Sequence, residues 1–130
     1  MNLQKPTKAK PNKEYREWLL TKGCMVCKTR AYPHHLNTGG MGTRGSDEFN
    51  IIPLCVQHHT FGIHMTTERL FESRYDLKHL RSVAIILSVD YFQEPDKVLA
   101  DVRGISIIEA RDIIDTATRN IENDTRRWVG

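Results

Sequence analysis

All three cysteines of this 130-residue chain lie between residues 24 and 55, and five of its six histidines lie between residues 34 and 64. Cys24-x2-Cys27 is answered by Cys55-x2-His58, with residues 28–54 between the two pairs. Two short-spaced pairs flanking a longer segment are the pattern of a tetrahedral structural zinc site. Each x2 spacing lets one turn aim both side chains at a single ion, and three thiolates with one imidazole form an accepted donor set for Zn2+. The competing reading is three buried thiols and an unrelated histidine; the paired spacing speaks against it. An odd number of cysteines also argues against a disulfide framework and for reduced thiols in a cytosol.

The rest of the composition narrows the class. Hydrophobic residues make up 39% and charged residues 27%, the proportions of an ordinary globular protein of one domain, or of one core with an appendage. No apolar run nears the roughly 18 residues of a membrane span; the longest is Val83-Ala84-Ile85-Ile86-Leu87. The Lys-rich N-terminus has no apolar segment of the kind a secretory signal needs. Charge is unevenly spread. Residues 1–30 hold eight Lys/Arg against Glu14 and Glu17, while the remainder is mildly acidic. A basic end on an acidic body suits attraction to a phosphate backbone, or equally a solubilising tail.

Local signals predict an α+β chain. Residues 1–11 read as a basic flexible arm. Asn12 can cap a helix with Tyr15, Trp18 and Leu19 on one face, stopped by Gly23. Tyr32-Pro33-His34-His35-Leu36 suits a short strand, and Phe49-Asn50-Ile51-Ile52 a second one ending before Pro53. Between them lies a loop containing Gly39, Gly40, Gly42 and Gly45. Thr66 or Thr67 can cap a segment with Leu70 and Phe71. Leu77, Leu80, Ala84, Leu87 and Tyr91 fit a helix, although their β-branched neighbours also suit a buried strand. Pro95 opens a helix that Gly104 ends. Ser106 and Glu109 form a capping box ahead of an apolar stripe at Ala110, Ile113, Ile114, Ala117 and Ile121.

His34, His35, His59, His64 and Asn50 remain beside the proposed zinc knuckle. Neighbouring histidines on a strand point to opposite faces, so one can hold metal while the other works beside it. In order and spacing, Cys24-x2-Cys27, His34-His35-Leu36 and Asn50-Ile51-Ile52-Pro53-Leu54-Cys55-x2-His58-His59 resemble the HNH endonucleases of the ββα-metal group. The Gly39–Arg44 stretch, Ile52–Cys55 and the leader Tyr15-x2-Trp18 are similar to the phage recombination-enhancement (RecA-dependent) nucleases and related prophage proteins. One departure is His58, where many members carry cysteine. The resemblance covers about residues 12–75; residues 76–130 match nothing comparable and read as a mainly helical extension.

The resemblance implies a small zinc-stapled ββα-metal core and a DNA endonuclease of a bacterial or phage-infected cytoplasm. His35 would be the general base, its ordinary pKa near 6.5 being suited to neutral pH. His34 and His59 would hold one catalytic divalent ion, and Asn50 would orient His35 or pin the loop between the strands. His64 would be the third ligand, but it stands five residues after His59 where the family has four, and on a continuous helix that turns it off the face; an interruption at Gly62 would be needed. The catalytic ion would be Mg2+, Mn2+, Ni2+ or Zn2+. Lys28, Arg30 and Arg44 would grip the DNA backbone. A recombination or repair protein is an implied partner, and the C-terminal helices could form a homodimer. Two other readings stand beside this one: a zinc-stabilised nucleic-acid-binding module without cleavage, and a protein-interaction adaptor, which would not need His35.

Overall fold

The computed structural model describes residues 12–36, 48–75 and 79–122, apart from the His64 side chain. The expected arm at 1–11, the glycine loop with Arg44, and Leu77 therefore lie outside the described residues. The class is α+β, mostly helical around one small sheet.

Helix α1 (Lys13–Leu20) starts where Asn12 accepts a hydrogen bond from the Tyr15 amide, and it buries Tyr15 and Leu19. It ends three residues before Gly23, whose φ of +77° then turns the chain back. A two-stranded antiparallel sheet follows, β1 (Tyr32–His35) with β2 (Ile51–Leu54). Two sequence expectations need correction here. Glu48–Asn50 is a 3-10 turn, not the start of the second strand, and Pro53 lies inside β2, not beyond it. The register explains the tolerance. Pro53 sits opposite Pro33, and two residues without amide hydrogens can face each other only at a non-hydrogen-bonded pair. The flanking rungs carry the ladder, and it continues as the Leu36 amide donates to the Asn50 carbonyl at 2.9 Å.

All four β2 residues are buried. Alternation splits them: Ile52 and Leu54 join the cysteine side of the core, while Ile51 packs with Tyr15 and Leu19. Helix α2 (Val56–Thr60) packs across both strands, and α3 (Glu68–Arg74) begins with Thr67 accepting from the Leu70 amide. The run at 83–87 is helical, within α4 (Leu80–Tyr91). Helix α5 (Pro95–Arg103) ends at Gly104 in the left-handed region. Helix α6 (Ile107–Glu122) opens with both reciprocal bonds of the Ser106–Glu109 box, each 3.0 Å. None of these helices is long and apolar enough to cross a membrane.

Helix α4 ties the chain together. Leu80, Val83 and Ala84 pack with Cys24, Ile52 and Leu54, while Ile85 packs with Phe49, Leu99, Ala110 and Ala117. The cluster around Cys24, Ile52 and Leu54 therefore draws on residues both before and after position 76. Ser88 donates to the Ala84 and Glu48 carbonyls at 3.0 and 3.3 Å. Its oxygen, 3.1 Å from the Tyr15 hydroxyl, is then the acceptor there. Burial pushes the Tyr15 phenol well above its ordinary range, so it remains a donor throughout the physiological range.

Gly23 and Gly104 both have positive φ, yet a Cβ at Gly23 would stand 2.6 Å from the Lys28 carbonyl oxygen, whereas at Gly104 it meets open space. Gly104→Ala should cost about 1–2 kcal/mol, the left-handed penalty alone, and Gly23→Ala more. Urea unfolding of the two variants checks this; a smaller loss at Gly23 would contradict the packing.

Candidate metal centre and histidine pair

The segment after Gly23 forms a tight knuckle. The Lys28 amide donates to the Cys24 carbonyl at 2.7 Å, and Lys28 itself takes a φ of +67°. The Val26 amide points at the Cys24 sulfur, 3.4 Å away. The Met25 amide donates to the Pro53 carbonyl at 3.0 Å, fastening the knuckle to β2. The second pair is set by helix capping. Cys55 is the N-cap of α2, its sulfur accepting from the His58 amide, which brings the His58 ring to the same side.

Cys24, Cys27, Cys55 and His58 converge, with their ligand atoms all within 4.8 Å of one another. A tetrahedral zinc site needs sulfur–sulfur edges of about 3.8 Å and sulfur–nitrogen edges of about 3.6 Å. Here Cys27 Sγ stands 3.7 Å from Cys55 Sγ, and His58 Nδ1 stands 3.6 Å from Cys24 Sγ and 3.2 Å from Cys55 Sγ. The edges and the donor set fit one structural metal ion such as zinc. Two of the thiols differ in readiness. The Thr29 hydroxyl, 3.0 Å from the sulfur, is the main reason that the Cys27 thiol is lowered to about 6, whereas burial raises that of Cys24. The His58 ring is backed edge-on by Tyr75 at 4.9 Å between centres.

Beside this cluster lie the other histidines. On β1, His34 is buried and His35 is exposed, as alternation requires. The His34 and His59 rings meet with centres 4.8 Å apart. The two rings meet edge to face, at 68° between their planes. Asn50 is buried and donates through Nδ2 to the Leu36 carbonyl at 3.2 Å, closing the base of the loop that joins the strands. Gly62 does break α2: after Phe61 the chain enters a 3-10 turn at Ile63–Met65. His64 lies in that turn, but its side chain is outside the described residues. Lys28 and Arg30 are exposed at the knuckle rim, Arg30 lying over the Tyr32 ring at 5.8 Å.

One group escaped the sequence reading. Glu48, only 6% exposed, holds Arg16 at 3.2 Å and also accepts from the Asn12 amide. The far end of the Arg16 guanidinium is 3.4 Å from His35 Nε2. A guanidinium only donates, so that ring nitrogen is the acceptor. In the sequence Arg16 is one charge in a basic stretch, and no local spacing links it to a residue 32 positions on.

Removing one ligand should undo the core. Structural zinc can supply about 10–16 kcal/mol of apparent folding free energy, as much as a whole domain's typical stability. Cys24→Ser should therefore abolish cooperative thermal unfolding, and a strong chelator should do the same to the unmodified protein. Equal melting temperatures for Cys24→Ser and the parent would exclude a structural ion here.

No curated protein and no solved structure matches the chain. A family model, described as a protein of unknown function (DUF968), matches residues 1–88, a span that takes in the cysteine cluster, both β-strands, the histidine pair and most of α4. The chain belongs to the DUF968 family.

Proposed function

We propose that this protein is a metal-dependent endonuclease of the HNH type, hydrolysing phosphodiester bonds of DNA on a zinc-stapled ββα-metal core. The observation that carries the reading is the meeting of the His34 and His59 rings, 4.8 Å between centres, with His35 exposed on the next position of the same strand. His34 and His59 would hold the catalytic divalent ion. When bound, such an ion supplies stabilisation of the charge that grows on the phosphoryl and departing oxygens. His35 takes the proton of the attacking water on Nε2, the nitrogen that Arg16 leaves when it turns to the phosphate, and Asn50 keeps β1 and the loop in register for that step. Arg16, with one nitrogen anchored on Glu48, offers a cation to a phosphate oxygen beside His35. Lys28 and Arg30, exposed on the knuckle, add positive charge, which makes binding steeply salt-dependent. A recombination or repair protein as partner, and self-association through the C-terminal helices, belong to the same proposal; Ile108 on α6 is 74% exposed.

A second reading has an observation of its own. Helix α2 ends before His64, so His64 does not follow His59 on one helix face. A nucleic-acid-binding module without cleavage would need no third ligand.

Supercoiled plasmid incubated with the protein and Mg2+, Mn2+ or Ni2+ should be nicked. His35→Ala should lower the rate by at least about 100-fold, the usual contribution of a general base, with its melting temperature unchanged. DNA retention without nicking under any of the ions would favour the binding module, and neither retention nor nicking would favour an adaptor; either outcome would overturn the nuclease reading.

A further inference from the structure

A cleft of about 340 Å3 opens between α4, the end of α5 and α6, within the roughly 300–1,000 Å3 range of small-ligand sites. It uses none of the histidines or cysteines. Its floor is apolar, formed by Ile85, Ile113 and Ala117. Two arginines line it. Arg103, only 8% exposed, comes from the last turn of α5; Arg81 comes from the first turn of α4, where it also pairs with Glu68 at 3.6 Å. Asp112 and Thr116 complete the wall from α6.

These groups select a ligand class. Planar guanidiniums are matched by phosphate oxygens, which take their paired donors. The isoleucine floor takes a flat apolar ring. The Asp112 carboxylate would repel a simple polyanion and would leave a fatty acid without a donor to offer it, but it accepts from the ring N–H or amino group of a heterocycle. We infer that the cleft between α4 and α6 binds a nucleotide, with its phosphate at Arg81 and Arg103 and its base on Ile85 and Ile113. The occupant is either a free nucleoside monophosphate or one unstacked nucleotide of a strand. Asn50 lines the same cleft and holds the Leu36 carbonyl, next to His35, so an occupant would touch the residue that closes the strand loop. More than half of the lining comes from residues 103–117, beyond the span of the family match.

Calorimetric titration of the full-length, metal-loaded protein tests this with AMP, GMP, CMP and UMP, against adenosine and inorganic phosphate. At least one monophosphate should bind tenfold or more tightly than either fragment. Thr116→Trp, which fills the cleft from an exposed helix position, and Arg81→Gln should each weaken that binding at least tenfold, and His35→Ala should leave it unchanged whatever becomes of cleavage. Competition by an unphosphorylated single-stranded decamer identifies a strand nucleotide as the occupant; lack of competition identifies the free nucleotide. Should Thr116→Trp melt early, Arg81→Gln decides. Binding of all four monophosphates no tighter than phosphate, or binding untouched by Arg81→Gln, would overturn the assignment.

Discussion

Four side chains that can close around one ion join the knuckle before β1 to the start of the helix after β2. A sheet of two four-residue strands cannot stand alone in water, and helix α2 has five residues and buries none of them. Cys24 and Cys27 fix the knuckle that leads into β1, while Cys55 and His58 fix the point where β2 turns into α2. Once those points are joined, the direction in which α2 leaves the sheet is set, and with it the position of His59 opposite His34. The meeting of the His34 and His59 rings is thus tied to the cysteine cluster.

Packing reinforces the arrangement from the other face. The Tyr15 hydroxyl, Ser88 and the Glu48 carbonyl form a buried polar chain between α1, α4 and the 3-10 turn before β2. Buried polar groups are costly when unsatisfied and specific when satisfied, so this chain sets how α1 sits on the sheet. That placement brings Arg16 to Glu48 and to His35. A residue of the N-terminal helix is in this way delivered to a strand that follows it by 16 positions or more.

Much of this was legible in the residues themselves. Asn12, Thr67, Pro95, Gly104 and the Ser106–Glu109 box marked helix ends because capping is local chemistry, and the x2 spacings marked the four side chains that converge because a turn is local too. Pro53 was misread for a physical reason: a proline forbids a hydrogen bond but not a strand, and whether it may stay depends on the partner, here Pro33. Helix α4 could equally have been a strand on its β-branched residues; its choice is made by packing on both the cysteine side and the α5–α6 side. The Arg16–Glu48 pair and the cleft floored by Ile85 and Ile113 are products of tertiary packing, and no pattern in the chain announces them.

Zinc-edge X-ray absorption of the purified protein tests most directly whether one ion organises this core. The account predicts one zinc per chain with three sulfur neighbours at about 2.3 Å and one nitrogen at about 2.0 Å. A shell made only of oxygen and nitrogen, or a folded protein carrying no metal, would contradict it.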